Sequence, residues 1–381
     1  MVDIARYNMK KKIIILVGSI LVLFLLVRLN AGGVIDSSAI YEDPKIFSSA
    51  IEEKISAMTL EEKIGQMLLL GIPRESGVLE LKELIAEGKI GSVILMGNNL
   101  GTSTASIREM ISSLQGAVLN DIPLFISVDQ EGGIVTRLKG DDYETTGQPD
   151  IETAGHARAI AVARANDLRE LGINVNFSPV MEYITNKNSF LFDRVFRGDK
   201  QRVVDLGVTM VDGYQDNGVI ATIKHFPGHA NDSVDSHGNL PVVDISREDF
   251  NQHVSVFEDA IKRSNPGMVM MAHVLYPQID SKNPSSISRT FVTDILRRNI
   301  DYTGVIITDD MNMGAITKKY GRAQAAVSAL RAGNDILLYV GEKQHIIDVH
   351  AEIVKTVNSG IISETRINES VGRILKLKEK I

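Results

Sequence analysis

Residues 219 to 241 read VIATIKHFPGHANDSVDSHGNLP, an apolar run that gives way to polar and small residues. The run VIATIK is short and rich in β-branched side chains, which is typical of a buried strand. Pro227 and Gly228 follow closely, and neither favours a regular helix or strand. Lysine, histidine and aspartate side chains are concentrated in the segment after the run. The pattern therefore predicts a buried strand whose carboxyl end leads into a polar loop.

Similar apolar runs occur at seven other places in the chain. They are QMLLLGI (66–72), SVILM (92–96), IPLFISV (122–128), INVNFSPV (173–180), MVMMAH (268–273), GVIITDD (304–310) and DILLYV (335–340). Stretches with helical periodicity lie between them, for example VLELKELIAEG (78–88) and IREMISSLQGAVL (107–119). This alternation predicts parallel βα units. Eight units in one chain favour an α/β fold of the (β/α)8 TIM-barrel type, with a doubly wound open sheet as the alternative.

Polar residues follow four of the eight predicted strands directly. The third run leads into DQEGG (129–133), the fifth leads into Lys224 and His225, the sixth ends in His273, and the seventh ends in Asp309 and Asp310. In a parallel barrel, the carboxyl ends of all strands meet at one face, where active sites are found. A single carboxylate at a strand end can instead cap the following helix. Four such ends together predict a polar site at the barrel mouth.

Composition and motifs exclude several classes of function. The chain has 381 residues, 44% of them hydrophobic and 23% charged, which suits a large globular core. A net charge of −7 gives no basic surface for nucleic acid, so no nucleic-acid partner is expected. The absence of cysteine excludes disulfides and thiolate sites. Neither a dinucleotide fingerprint nor a phosphate-binding loop follows any predicted strand, and no cofactor is expected.

The N-terminal sequence predicts a membrane segment. Three lysines at 10–12 precede the apolar run IIILVGSILVLFLLV (13–27), and Arg28 follows it. We expect a cytoplasmic stub at 1–12, a transmembrane anchor at 13–29, a linker at 30–46 and one barrel domain at 47–381, without a second domain. A cleaved signal peptide is the alternative for the apolar run. Either arrangement places the barrel outside the cytoplasm, anchored to the cell membrane or secreted.

Motifs spread over most of the chain resemble those of glycoside hydrolase family 3, and in particular its bacterial β-N-acetylglucosaminidase branch. They are MTLEEKIGQMLLLG (58–71), GSVILM (91–96), VDQEGGIVTRL (128–138), NFSPVMEY (176–183), KHFPGHANDSVDSHGNLP (224–241), MMAHVLYP (270–277) and GVIITDDMNMGAI (304–316). The combination of KHFPGH with DSH is the most specific of these. The resemblance implies a (β/α)8 barrel and hydrolysis of a glycosidic bond.

The resemblance also implies the catalytic residues. Asp309, at the end of the seventh predicted strand, matches the family nucleophile, and His237 matches a proton donor carried on a mobile loop. Asp235, two residues earlier, matches the carboxylate that pairs with His237. Imidazole titrates near neutral pH, so it can donate a proton to a leaving oxygen and later accept one from water. Asp310 is expected to cap the next helix or to brace the site.

Five further positions match substrate contacts of the family. They are Asp129, Arg137, Arg194, Lys224 and His225. A surface ion pair is the alternative for Arg194. The sequence departs from the family pattern at three places: Glu182 stands where aspartate is usual, Val195 replaces a small serine, and Ala230 replaces a glycine.

No metal site is expected, although three histidines lie close together in the sequence. His225 and His229 have the i, i+4 spacing of a helical metal pair, but Pro227 and Gly228 between them disfavour a helix. His229 is expected to stabilise the loop and to have no catalytic role.

These observations predict a retaining β-N-acetylhexosaminidase that acts through a covalent glycosyl-aspartate intermediate. A β-glucosidase, a xylosidase or a phosphorylase of the same family is the alternative for the activity. A non-catalytic, membrane-tethered glycan-binding barrel is the alternative from another class. The expected partner is a glycan or muropeptide that contains N-acetylglucosamine, and the expected state is a monomer.

Overall fold

The computed structural model describes residues 47–381 apart from Glu75, Thr102, Leu119, Asp232 and Ser233. The predicted stub, membrane segment and linker at 1–46 lie outside the described residues, so these boundaries remain predictions. None of the helices in the described part of the chain is long and apolar enough to cross a membrane.

Eight parallel strands form the centre of the fold. They are β1 (Leu68–Gly71), β2 (Ser92–Leu95), β3 (Phe125–Val128), β4 (Val175–Asn176), β5 (Ile220–Phe226), β6 (Met268–Met271), β7 (Val305–Thr308) and β8 (Leu337–Val340). Each strand pairs with its sequence neighbour, and β1 also pairs with β8, in the order β7-β6-β5-β4-β3-β2-β1-β8. Each predicted apolar run overlaps one of these strands, and β5 continues two residues beyond its predicted run, to Phe226. The prediction of a TIM-type barrel is confirmed for this part of the chain.

The barrel closes between β7 and β8 through a short seam. Ile336 forms an isolated parallel bridge with Ile307. The Thr308 amide donates to the Ile336 carbonyl at 3.1 Å, and the Asp335 amide donates to the Ile306 carbonyl at 2.8 Å. The seam therefore places the end of β7, directly before Asp309, beside the residues that lead into β8.

Among the described residues, two helices precede β1, and further helices follow the strands. They are α1 (Ser49–Ala57), α2 (Leu60–Gln66), α3 (Gly77–Ala86), α4 (Thr104–Gln115), α5 (Ala154–Leu171), α6 (Lys200–Gln215), α7 (Arg247–Ser264), a π helix (Thr290–Asn299), α8 (Gly314–Thr317), α9 (Arg322–Ala332), α10 (Lys343–Asn358) and α11 (Glu364–Lys378). Side-chain caps fix several starts: Thr59 and Ser103 form capping boxes before α2 and α4.

Helix α11 helps to close the seam. Asp335, two residues before β8, is buried and accepts hydrogen bonds from Ser370 at 2.7 Å and from Arg373 at 3.1 Å. Arg297 of the π helix also pairs with Asp335. The same carboxylate accepts the Ile306 amide of β7 at 2.9 Å. One buried acid thus joins both seam strands to the surrounding helices.

Candidate active site

A cavity of about 310 Å³ opens at the carboxyl ends of the strands. All of the predicted site residues except Asp235 line it, and Glu131 and Asp310 line it too. The lining set from the predictions is Asp129, Arg137, Arg194, Lys224, His225, His237 and Asp309. The expected convergence of the strand ends at one mouth is therefore confirmed, whereas the role of each residue remains a prediction.

A bulge at the end of β5 exposes two consecutive side chains to this cavity. Lys224 pairs with Met270 of β6 and Phe226 pairs with Met271, so His225 is an extra residue without a register partner. In a regular strand, neighbouring side chains point to opposite faces, and a bulge changes that alternation. Both Lys224 and His225 consequently line the cavity.

A network of charged side chains forms one wall of the cavity. The Lys224 ammonium lies 2.7 Å from Asp129 Oδ1 and 2.6 Å from Glu131 Oε1. Arg194 binds both carboxylate oxygens of Glu131, at 2.7 and 2.9 Å. Burial alone raises the pKa of Glu131, but the adjacent Arg194 and Lys224 outweigh burial and lower it to about 2. Arg137 Nη2 lies 3.7 Å from Asp129 Oδ2 at the edge of the network.

This network tests the alternative interpretation of Arg194, a surface ion pair, while its role as a substrate contact remains a prediction. Its side chain is only 12% exposed, and it is fixed by two parallel hydrogen bonds to a buried carboxylate. The alternative of a surface ion pair is therefore wrong. Glu131 is absent from the site residues predicted from the sequence, although it lies three residues after the end of β3, in the region that the barrel fold assigns to the site.

Glu182 holds the two histidines of the KHFPGH segment. Its Oε1 accepts from His225 Nδ1 at 2.9 Å and lies 3.1 Å from His229 Nδ1, while Oε2 accepts the His229 backbone amide at 2.6 Å. All three residues are buried. Burial lowers the pKa of His225 despite the carboxylate, so a neutral ring that donates through Nδ1 retains Nε2 as an acceptor. Glu182 therefore fixes both the position and the tautomer of His225.

We expect Glu182→Gln to lower the free energy of unfolding by roughly 1–3 kcal/mol, because its amide nitrogen cannot accept the buried N–H groups. Urea denaturation measures the change. The matched control is Glu152→Gln, since Glu152 is exposed and its substitution is expected to leave the midpoint unchanged. Equal urea midpoints for both variants would show that the hydrogen bonds of Glu182 do not stabilise the KHFPGH segment.

The same three residues bear on the prediction that no metal is bound. One ligand-type atom from each of Glu182, His225 and His229 lies within 4.8 Å of the others. The sequence pattern alone offers no third ligand beside the histidine pair, and Glu182 supplies a residue of a suitable type. In the structure, the carboxylate accepts hydrogen bonds from both histidine residues. The absence of a required metal remains a prediction.

Asp309 lies directly after β7 at the base of the cavity. Its carboxylate accepts the Asp310 amide at 2.8 Å, and its own amide donates to the Met271 carbonyl of β6 at 2.9 Å. Burial alone raises the pKa of Asp309, but His225, His273 and the Asp310 amide outweigh burial and lower it. The group is therefore an anion at neutral pH, which suits a nucleophile.

Asp310 braces the site, as one of its two predicted roles requires. Its Oδ1 accepts the backbone amides of Asn312 at 2.9 Å and Val340 at 3.0 Å, and so links the loop after β7 to the end of β8. Burial raises the pKa of Asp310 to about 7. Its carbonyl also lies 3.0 Å from Nε2 of the buried His273, whose Nδ1 contacts Ser286 at 2.7 Å. His273 is thus a structural support of the loop.

His237 and Asp235 form a hydrogen-bonded pair at the rim. Asp235 Oδ1 lies 2.7 Å from His237 Nδ1 and accepts the His237 amide at 3.0 Å. Partial burial raises the pKa of Asp235, but both contacts with His237 oppose this effect and lower it. The His237 side chain is 69% exposed. The pairing places the other ring nitrogen, Nε2, away from Asp235 for contact with a ligand.

The fold and the cavity together define a class, namely (β/α)8-barrel proteins with an acid- and histidine-rich site at the strand ends. The model for the glycosyl hydrolase family 3 N-terminal domain matches residues 59–377. The chain belongs to glycosyl hydrolase family 3.

Relatives and solved structures agree with this family. A beta-hexosaminidase A from Pseudoalteromonas piscicida is 33% identical over 79% of this chain and 55% of its own length. A beta-hexosaminidase from Haemophilus influenzae is 30% identical over 76% of this chain and 84% of its own length. The structure of a family 3 beta-N-acetylglucosaminidase from Paenibacillus sp. str. FPU-7 has a TM-score of 0.81 and 36% identity, over 85% of this chain and 63% of that chain. The chain thus spans little more than half of the first of these proteins.

Proposed function

We propose that the chain is a retaining β-N-acetylhexosaminidase that removes terminal β-linked N-acetylglucosamine from cell-wall-derived glycans, including muropeptides. The observation that carries the proposal is the common cavity of Asp309 and His237. The first is an anion fixed after β7, and the second is an imidazole paired with Asp235. The names of the similar proteins support the choice of sugar.

In the first step, the Asp309 carboxylate attacks the anomeric carbon and forms a glycosyl ester. The bond from that carbon to the leaving oxygen breaks, and protonated His237 transfers its proton to this oxygen. The leaving alcohol departs neutral, and His237 is left as a neutral imidazole. Asp235 holds the ring through Nδ1 throughout this step.

In the second step, neutral His237 removes a proton from water, and the resulting oxygen attacks the anomeric carbon. The ester bond to Asp309 breaks, which restores the carboxylate and leaves His237 protonated for the next cycle. Two displacements at one carbon give a product with the configuration of the substrate. The reaction consumes one water and requires no cofactor.

The charged wall of the cavity supplies contacts for the sugar. Asp129 accepts hydrogen bonds from hydroxyl groups, while Lys224 and Arg137 donate to them. The network that joins Asp129, Lys224 and Glu131 holds these side chains in place before the sugar binds. Binding of the sugar therefore costs little side-chain conformational entropy. His225 adds a further contact with a defined tautomer.

The purified protein should prefer an aryl β-N-acetylglucosaminide to the matching aryl β-glucoside by roughly 10- to 100-fold in kcat/KM. A pocket that hydrogen-bonds the acetamido group leaves a buried partner unpaired when glucose binds, which costs about 1–3 kcal/mol. Steady-state assays with the two substrates measure the ratio. Equal rates or a preference for the glucoside would contradict the assignment of the sugar and favour a β-glucosidase.

The same assay distinguishes the proposed hydrolase from a phosphorylase, a xylosidase and a binding protein. Addition of inorganic phosphate should leave the products unchanged, whereas release of a sugar 1-phosphate would indicate a phosphorylase. Turnover of an aryl β-xyloside in preference to the acetylglucosaminide would identify a xylosidase. Binding of the sugars without turnover of any substrate would favour a non-catalytic glycan-binding barrel.

A further inference from the structure

The loop that carries His237 rests on the segment that follows Asp309. The Gly314 amide, at the start of α8, donates to the His237 carbonyl at 3.0 Å, and the Ala315 amide donates to the Ser236 carbonyl at 3.3 Å. These two backbone contacts join the loop of the proposed acid–base residue directly to the loop of the proposed nucleophile.

The approach of the two segments leaves no room for a side chain at Gly314. A Cβ atom there would lie 2.5 Å from the Gly238 carbonyl oxygen and 2.9 Å from the His237 carbonyl oxygen. Both distances are shorter than carbon–oxygen contact allows, and both neighbours are backbone atoms that move only if the loop moves. Gly314 does not have the positive φ that favours glycine. The backbone conformation therefore does not exclude alanine at position 314, and alanine has a higher helix propensity than glycine. The close approach of the His237 loop is the feature that requires glycine.

The segment that carries Gly314 is itself firmly held. The Met311 amide donates to the Leu338 carbonyl of β8 at 2.9 Å, and Asp310 binds the Val340 amide. The surface on which the His237 loop rests is therefore attached to the barrel, so an added side chain at Gly314 displaces the loop and not the barrel.

We infer that Gly314 is a positioning residue for the acid–base step: its missing side chain lets the His237 loop approach closely enough to place the imidazole over the cavity. The inference rests on the proposed function, because it assigns a consequence to the role of His237. It adds that one short segment, from Asp309 to Gly314, positions both groups that act on the anomeric carbon.

The experiment compares Gly314→Ala with the wild-type protein on two aryl N-acetylglucosaminides, one with a poor leaving group and one with dinitrophenolate. We expect kcat/KM to fall by roughly 100-fold for the poor leaving group, as for a displacement of about 1 Å of a catalytic group. The loss should be less than about threefold for dinitrophenolate, which departs without a proton. Gly321→Ala is the matched control, because nothing lies within 4 Å of an added Cβ there.

The His237→Ala background tests whether Gly314 acts through the imidazole. We expect Gly314→Ala to cause no further loss in that background, since the group that it displaces is already absent. Equal losses with both leaving groups, or the same loss in the His237→Ala background, would overturn the inference. If His237→Ala alone showed no dependence on the leaving group, the proposed function would fail instead.

A second variant keeps the test valid if Gly314→Ala does not fold. Lys318 Nζ donates to Asn239 Oδ1 at 2.9 Å, at the outer end of the same contact. Lys318→Ala removes this hydrogen bond without adding volume, and both residues are exposed. We expect a smaller loss, roughly two- to fivefold, again confined to the poor leaving group. An equal loss on both substrates would count against the inference.

Discussion

Asp309→Asn is expected to lower kcat by about 10⁴-fold or more, because the amide cannot form the glycosyl ester that divides the reaction into two steps. The folded structure should persist, since the side chains have the same shape and an asparagine can still accept the Asp310 amide through its carbonyl oxygen. Steady-state rates with an activated aryl N-acetylglucosaminide measure the loss. Thermal unfolding of the same samples shows whether the fold is retained.

A covalent label identifies the nucleophile independently of the rate. A fluorinated slow substrate should add one sugar to the wild-type protein, and mass spectrometry of its peptides should place that sugar on Asp309. The control is Asp301→Asn, an equivalent substitution at an exposed position, which should keep full activity and full labelling. A label on any other side chain would remove Asp309 from the nucleophile role.

The barrel could be predicted from the sequence because its strands are buried on both faces. Runs such as VIIT (305–308) and LLYV (337–340) are apolar along most of their length, which is the pattern of parallel strands between helices. Strand β4 shows the limit of this pattern: only Val175–Asn176 is regular within the predicted run at 173–180. The run includes Pro179, which has no amide hydrogen to continue a strand ladder.

The position of the candidate site could also be predicted, but its supporting contacts could not. Glu131 and Arg194 are 63 positions apart, and Glu182 and His225 are 43 positions apart. No local periodicity relates such pairs, since only the closed barrel brings the ends of different strands together. Gly314 is a further case, because the sequence shows a glycine without showing which backbone lies against it.

The departures from the family pattern have physical consequences in the fold. Val195 is fully buried in a small apolar cluster with Val180, Ile184 and Leu191, so its side chain contributes packing to the loop after β4. Ala230 has a φ of 49°, a conformation that glycine adopts more easily, and it is also buried. Glu182 reaches both histidines from its position after β4.

His237→Ala is expected to show the second large effect, and the effect should depend on the leaving group. For a poor leaving group, the alcohol cannot depart without a proton, so kcat/KM should fall by roughly 10²- to 10⁴-fold. For dinitrophenolate, which is stable as an anion, kcat/KM should remain within about tenfold of the wild-type value. The plot of log kcat/KM against the pKa of the leaving group should therefore become steeper in the variant.

The same variant also tests the second half of the cycle. Without His237, no imidazole removes the proton from water, so the glycosyl ester on Asp309 should accumulate when the leaving group is dinitrophenolate. Azide needs no deprotonation, and its addition should restore turnover by forming the β-glycosyl azide. Asp235→Asn should cause a smaller loss with the same dependence on the leaving group, since the introduced amide can still contact the ring but as a neutral partner. Equal losses across all leaving groups, together with no response to azide, would exclude His237 as the acid–base residue, because only a group that transfers the proton links both observations.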